Sequence, residues 1–183
     1  MASPCDLVGA FVAWVNASPR EPALEKDVPP FLRSGQSDSP FCDWKIVQID
    51  ASERVRLLER KLPMPFPPAY RSLISRYVFP AFEAGRIFLF GNTGESAYYD
   101  LSEKLFADEH MSRTLLDNGF LQFGNPQEGD YDPVCFDTRN GLEEPPIVRL
   151  DHEDILCNSR IRITEEIANS FSDFLRESLQ PCQ

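Results

Sequence analysis

The sequence predicts an α+β fold in which helices flank a central sheet made mainly of antiparallel strands. Helical patterns come first, a run of short strand patterns separated by turn signals follows, and a helical pattern closes the chain. That order is typical of the α+β class. The 183 residues, of which 42% are hydrophobic and 14 are Phe, are enough to fill the core of one ordinary domain.

The first 43 residues are predicted to be an N-terminal helical extension with a Pro- and Ser-rich loop, and residues 44–183 to be the α+β domain. Leu7 to Val15 is apolar at helical spacing and predicts an amphipathic helix that packs on the domain. No Lys or Arg precedes this run, and it is far shorter than the roughly 20 residues that span a bilayer. A short helix is predicted over Glu21–Leu32, stopped by Pro29–Pro30, and an exposed loop over 34–39.

Between residues 44 and 94 the patterns indicate two strands and two helices. Trp44 to Ile49 alternates and predicts a strand, and Ser52 to Leu62 predicts a helix with its apolar residues on one side. Pro68 suits the first turn of a second helix, whose apolar stripe contains Tyr70, Leu73, Ile74 and Tyr77. Ile87 to Phe90 is the kind of short apolar run expected for a central strand, and Gly91 to Gly94 is predicted to be a turn.

The second half of the chain predicts one helix, a group of strands and the closing helix. Asp108 is expected to cap a helix that runs to Leu116 and stops at Asn118-Gly119. Strands are predicted at Phe120–Phe123, Tyr131–Phe136, Ile147–Leu150 and Ser159–Ile163, with Pro133 marking the start of its strand or an edge position. Thr164 is predicted to cap the closing helix, with Glu165 and Glu166 in its first turn and an apolar face made of Ile167, Ala168, Phe171, Phe174 and Leu175.

Negative charge is concentrated in the second half of the chain. Residues 1–91 hold 11 Lys and Arg against 10 Asp and Glu, whereas residues 92–183 hold 7 against 19. Such a field attracts a cationic protein and repels nucleic acid and anionic membranes, so neither of the latter is an expected partner. The candidate contacts to a cationic partner are Glu128, Asp130, Tyr131, Asp132, Glu143, Glu144, Asp151, Glu153 and Asp154. Tyr131 is the candidate apolar anchor among them.

The residue types needed for catalysis or metal binding are sparse. Only two His are present, and no G-x-S-x-G motif accompanies them. His152-Glu153 followed by Cys157 lacks the second His of a zinc motif, and the alternating carboxylates around Tyr131 lack the pattern of a calcium loop. We therefore expect no catalytic residue, metal or cofactor. An enzyme that uses the carboxylates of residues 128–154 remains an alternative.

The five Cys residues form no C-x-x-C pair and indicate a reducing, cytoplasmic setting. Cys135 and Cys157 lie in apolar runs and are predicted to be small buried hydrophobic residues.

The order of the predicted segments resembles the SUKH superfamily, the Smi/Knr-type domain, over roughly residues 50–178. The motifs that carry the resemblance are Leu62-Pro63 followed by Tyr70 and Leu73, Ile87–Gly91, Gly119–Gly124 ending in Phe-Gly, Tyr131–Asp137, Pro145–Val148, and Ile167–Leu175. The sequence departs from the family pattern at Tyr77–Gly85, where an Asn-Gly-Gly-like turn is usual and only Gly85 matches.

The resemblance implies an α+β sheet domain without catalytic residues to carry over. Many bacterial members resemble immunity proteins that bind and neutralise polymorphic toxins, often nucleases, and some relatives are regulatory scaffolds. The hypothesis from the sequence is therefore a protein-binding immunity protein directed at a cationic toxin domain. A scaffold that binds a cellular protein is the alternative, and the oligomeric state is left open.

Overall fold

The computed structural model describes residues 4–35, 39–94, 99–127 and 129–180, so residues 36–38 of the predicted loop lie outside it. The α-helices of the described residues are α1 (Pro4–Ala17), α2 (Ser52–Glu59), α3 (Pro68–Arg76), α4 (Leu101–Lys104), α5 (Glu109–Asp117), α6 (His152–Asn158) and α7 (Phe171–Ser178). The strands are β1 (Ala23–Leu24), β2 (Phe41–Cys42), β3 (Val47–Gln48), β4 (Tyr77–Val78), β5 (Phe82–Ala84), β6 (Ile87–Leu89), β7 (Phe120–Asn125), β8 (Val134–Asp137), β9 (Ile147–Leu150) and β10 (Ile163–Ala168).

Six of these strands form one antiparallel sheet in the order β10-β9-β8-β7-β6-β5. Each strand pairs with the strand that precedes it in the chain, so the sheet is a meander with β5 and β10 at its edges. Two small ribbons, β1 with β2 and β3 with β4, lie outside this sheet. The predicted α+β class and antiparallel sheet are confirmed.

Helices contribute to two separate hydrophobic cores. The helices α1, α3 and α7 pack on one another and, with sheet side chains such as Leu121 and Phe123, form the main core. The helices α5 and α6 pack together and form a second core with Phe120 and Cys135. Because successive side chains of a strand point to opposite faces, Phe120 and Leu121 enter different cores. Cys135 is buried as predicted.

The N-terminal helix α1 is part of the main core. Val8 and Phe11 are fully buried, which confirms the predicted packing of this segment on the rest of the chain. The Asn16 side chain then joins the end of α1 to Ile46, since its Nδ2 donates to the Ile46 carbonyl and its Oδ1 accepts from the Ile46 N–H, both at 2.9 Å.

The prediction for the segment after Asn158 is wrong. Thr164 does not cap a helix; it lies in β10, and the closing helix α7 begins at Phe171 with Ser170 as its N-cap. The predicted strand Ser159–Ile163 contributes only Ile163 to β10. A Thr followed by two Glu resembles a helix start, but here these residues form an edge strand, where exposed charged side chains are common. Register shifts in the β9–β10 pairing also disturb the alternation that would mark a strand.

Two predictions before residue 50 are wrong. In both segments, side chains form hydrogen bonds with backbone groups that a regular helix or strand would use. Glu21–Leu32 is not a helix; it holds β1 and two short 3-10 turns, Glu25–Asp27 and Pro30–Leu32. The guanidinium of Arg33 donates to the carbonyls of Glu25 and Val28, both at 2.8 Å, and fixes this irregular path. The predicted strand Trp44–Ile49 is reduced to β3, since the backbone of Ile46 is bonded to Asn16 instead of to a strand.

Two further predictions are confirmed, one predicted helix is shorter than expected, and one prediction is wrong. Asp108 caps α5, its carboxylate accepting from the Met111 N–H at 2.9 Å, and Pro133 directly precedes β8. The helix predicted from Ser52 ends at Glu59, earlier than Leu62. Cys157 is exposed on α6, not buried, because this helix packs through Ile155 and leaves Leu156 and Cys157 on its outer side.

Candidate partner-binding face

The predicted acidic residues lie at opposite ends of the β8–β9 pair. Val134 at the start of β8 pairs with Arg149 near the end of β9, whereas Phe136 pairs with Ile147 at the start of β9. The loop before β8 therefore lies beside the segment after β9, and the loop before β9 lies at the other end. The first end holds Asp130, Tyr131, Asp132, Asp151, Glu153 and Asp154; the second holds Glu143 and Glu144; Glu128 lies outside the described residues.

Asp132 is the centre of a polar network at the first end. Its Oδ1 accepts from the backbone N–H of His152 at 3.1 Å and lies 2.6 Å from His152 Nδ1. Its Oδ2 accepts from Arg149 Nε at 2.7 Å, and the Asp132 side chain is only 13% exposed. This carboxylate therefore ties the loop before β8 to β9 and to the first residue of α6.

Asp130 extends the same network. Its Oδ2 accepts from the second guanidinium nitrogen of Arg149 at 3.2 Å, and its Oδ1 accepts from the Asp132 N–H at 2.9 Å. The Asn125 side chain, at the end of β7, donates to the Asp130 carbonyl. These bonds fix residues 130–132 from β7, β9 and α6, so the Tyr131 backbone between them is held in place.

The carboxylates at the start of α6 are also occupied. Asp151 is the N-cap, its Oδ1 accepting from the Asp154 N–H at 2.9 Å. The Arg162 guanidinium pairs with the other oxygen of Asp151, and its Nε lies 2.6 Å from Asp154. Together with Arg149, these pairs neutralise much of the negative charge that the sequence places here.

The two acidic residues before β9 have different surroundings. The Glu144 carboxylate accepts from the Ala69 N–H at 2.9 Å and from the Ser172 hydroxyl at 3.4 Å, so it stabilises the first turn of α3 and links it to α7. Glu143 is exposed. The structure thus gives Glu144 a structural contact and leaves Glu143 open to solvent.

Tyr131 is the most exposed large hydrophobic residue of the described chain, at 68% of its surface. Its ring lies 6.0 Å from the His152 ring, at the start of α6. On the same helix, Glu153 follows His152 directly and Leu156 lies one turn after His152; both are exposed. We call Tyr131, His152, Glu153 and Leu156 the Tyr131 face; it combines an exposed aromatic residue on a fixed backbone with an exposed Leu and an exposed Glu.

The two His residues of the chain have structural contacts. His110 Nε2 lies 3.2 Å from the Ile155 carbonyl and 3.4 Å from the Ser159 hydroxyl. A carbonyl can only accept, so in the first contact Nε2 carries the proton and cannot also take the proton of Ser159. The contact joins α5 to α6 and does not arrange Ser159 as an activated nucleophile.

The described residues show neither a metal-binding cluster nor a membrane-spanning helix. No three His, Cys, Asp or Glu side chains among them come together in an arrangement that could hold a metal ion. None of the helices they form combines the length and apolar character needed to cross a bilayer.

The Asp132 network leads to a prediction about acid stability. Burial of the Asp132 carboxylate opposes its ionisation, but the hydrogen bonds from His152 and Arg149 outweigh burial, so the pKa of Asp132 lies below its ordinary value. A lowered folded-state pKa adds stability that is complete above the unfolded-state pKa of roughly 4 and disappears as the pH falls through the folded-state pKa. Between about pH 7 and about pH 3, stability should fall more steeply in the wild type than in Asp132→Asn.

Urea unfolding at a series of pH values measures this difference. The variant should be the less stable protein at neutral pH, and the two curves should converge in acid. Parallel curves would show that Asp132 makes no ion pair that depends on its charge.

The carboxylates of this site were predictable from the sequence, but their arginine partners were not. Arg149 and Arg162 were not singled out, although the first contacts a carboxylate 17 positions away and the second one 11 positions away. Antiparallel pairing of the two predicted strands, β8 and β9, would have placed the loop before β8 beside the end of β9. The position of Arg149 within that pairing could be read only after the register was known.

A family model described as the SMI1 / KNR4 family (SUKH-1) matches residues 51–177 of the chain. The match covers α2 through most of α7 and includes every strand of the six-stranded sheet. No match is found among curated proteins.

Proposed function

The chain belongs to the SMI1 / KNR4 (SUKH-1) family, and we propose that it is a non-enzymatic immunity protein that binds a cationic toxin domain and blocks it stoichiometrically. The proposal places it in the cytoplasm, where an exposed thiol such as Cys157 stays reduced. The resemblance noted from the sequence supports a protein-binding role, and family membership is consistent with it.

The observation that carries the proposal is the Tyr131 face. Tyr131 is 68% exposed, and its backbone is held between two carboxylates that bind Arg149, so the position of this residue is set before any partner arrives. Binding then needs little further ordering of the backbone. Exposed Tyr residues of this kind are frequent among the few interface residues that supply most of the binding energy.

The carboxylates around Tyr131 support binding better than catalysis. An acid–base pair needs carboxylates that can reach the reacting atoms and exchange protons. Here Asp132 and Asp130 hold Arg149, and Asp151 caps α6, so these groups already serve the fold. Glu153 is exposed and carries no ion pair in the described part of the chain, which leaves it available to a basic partner.

Charge contributes mainly to the rate of association. The formal net charge of −11 attracts a basic toxin domain at long range. Since arginines pair with most of the carboxylates beside Tyr131, we assign local charge matching to Glu153 and, at the other end of the β8–β9 pair, to Glu143. Charges near an interface change the association rate more than they change the dissociation rate.

These roles predict separate effects on binding to the proposed toxin domain, which is sought as the product of a neighbouring gene. Tyr131→Ala should weaken binding by about 100-fold, mainly through faster dissociation. Glu153→Gln should slow association by about twofold at low salt, and the difference should disappear at high salt. Stopped-flow association and surface plasmon resonance measure the two rates.

A matched control is Glu177→Gln. Glu177 is an exposed residue of α7, a helix of the main core and not of the α5–α6 layer that carries the Tyr131 face, and the substitution removes the same charge. It should leave both rates close to the wild-type values. If Tyr131→Ala and wild type bind with equal affinity, the Tyr131 face is not the interface. If no toxin domain binds and a cellular protein does, the chain is a scaffold instead.

A further inference from the structure

A cleft of about 410 Å³ lies on the side of the fold where α1, the β1–β2 ribbon and β5 meet. Its size falls within the roughly 300–1,000 Å³ of ligand-binding clefts. Its wall and floor carry aromatic side chains from distant parts of the chain, namely Trp14, Phe41, Trp44, Phe82, Phe88 and Tyr99. The residues of the Tyr131 face do not line this cleft.

The cleft gathers apolar side chains that the fold leaves exposed. Trp14 is 37% exposed and Phe41 is 44% exposed, and Leu24, which pairs with Phe41 across the β1–β2 ribbon, is exposed as well. Below them the Trp44 and Phe82 rings are in contact, 5.2 Å apart, and are buried. An exposed apolar group over a packed aromatic floor marks a binding surface better than single exposed residues do.

The charges at the cleft are mainly negative. Glu21, Asp27 and Glu83 line it, and none of the three has a hydrogen bond or ion pair within the described residues. Among the described residues of the lining, Arg20 is the one basic side chain. It is turned into the wall, where it donates to the carbonyls of Val15 and Trp44 and lies 4.6 Å from the centre of the Trp44 ring.

The edge of the sheet opens toward the same cleft. The strand β5 has no neighbour on its outer side among the described residues. In the β5–β6 hairpin Ala84 and Ile87 flank a two-residue turn, so the next pair, Glu83 and Phe88, is not hydrogen-bonded and the backbone groups of Glu83 point outward. An extended peptide could pair with these groups.

We infer that this cleft binds an extended segment of a partner protein in which a Lys or Arg side chain stands next to an apolar one. The basic side chain lies between the carboxylates of Glu21 and Glu83, which have no ion-pair partner among the described residues. The apolar side chain packs against Trp14 and Phe41, and the peptide backbone bonds to the outer edge of β5. The inference is independent of the toxin-binding proposal. The cleft lies beside β5, at one edge of the sheet, whereas the Tyr131 face lies beside β9 and α6, toward the opposite edge.

Selection from a phage-displayed library of random dodecapeptides on the full chain tests this inference. We expect the selected peptides to be enriched in Arg or Lys beside Trp, Phe, Leu or Val. A synthetic peptide of the selected sequence should bind at least about tenfold more weakly to Phe41→Ser and to Glu83→Lys than to the wild type. Fluorescence anisotropy of the labelled peptide gives these affinities.

Two matched controls separate the cleft from the rest of the surface. Phe31→Ser removes an equally large exposed aromatic residue that does not line the cleft, and Glu177→Lys reverses a charge on α7. Both, together with Tyr131→Ala, should bind the peptide as the wild type does. Acidic or random selected sequences, or affinity unaffected by Phe41→Ser and Glu83→Lys, would overturn the inference. Loss of toxin binding in Tyr131→Ala with peptide binding retained would keep the two sites distinct.

Discussion

Asn92→Ala is expected to lower the free energy of unfolding by about 3 kcal/mol or more, because one buried side chain satisfies three buried backbone groups. The Asn92 Oδ1 accepts from the Phe79 N–H at 3.0 Å. Its Nδ2 donates to the carbonyls of Ile74 at 3.1 Å and Tyr77 at 2.8 Å. These bonds tie the end of α3 to the segment that enters β5, where the sequence departs from the usual family turn.

Urea unfolding followed by circular dichroism measures the change. Asn169→Ala is the matched control, because Asn169 is exposed between β10 and α7; its effect should stay within about 0.5 kcal/mol. If Asn92→Ala lowers the free energy of unfolding by less than about 1 kcal/mol, water replaces the bonds of Asn92. The connection between α3 and β5 would then not depend on this side chain.

Gly124→Ala is expected to destabilise the protein by at least about 2 kcal/mol, because a methyl group there has no room. A Cβ at Gly124 would lie 2.6 Å from the Phe88 carbonyl oxygen and 2.9 Å from Ile87 Cγ2. The first of these atoms is backbone of the paired strand β6, so the strands themselves would have to separate. The close approach of β6 therefore explains why the Phe-Gly motif of the sequence has a glycine at position 124.

Gly9→Ala is a control that should raise the stability of the protein instead of lowering it. Gly9 lies within α1, and the nearest group to its Cβ position is the Tyr77 hydroxyl at 3.8 Å, an ordinary van der Waals separation. Alanine in a helix is more favourable than glycine by about 0.5–1 kcal/mol, so this variant should be stabilised. Equal effects of the two substitutions would contradict the close approach of β6 and β7.

The elements that were predicted well are those in which the apolar residues form an uninterrupted helical stripe or a short continuous run. The helix α3 has a continuous apolar stripe and a proline start, and β7 and β9 are short apolar runs bounded by turn residues. Local signals therefore sufficed for them. The edge strand β10 was missed because its exposed acidic residues imitate the first turn of a helix, and only the pairing with β9 overrides that preference.

The candidate site was predictable in its residue types but not in its interactions. The carboxylates could be counted along the chain, but the sequence could not show that Asp132 contacts Arg149, or that Glu144 stabilises the start of α3 75 positions earlier. The aromatic cleft was missed for the same reason. Trp14, Phe41 and Phe82 have no common pattern in the sequence, and the fold alone brings them together.

We propose that the chain acts by binding a toxin protein through the Tyr131 face. The most direct test is a titration of the proposed toxin, sought as the product of a neighbouring gene, with the purified chain, following the toxin's activity. We predict that inhibition is complete at one chain per toxin domain, and that Tyr131→Ala does not inhibit at that ratio while Glu177→Gln does. Inactivation of many toxin molecules by one chain, or full inhibition by Tyr131→Ala, would contradict the account.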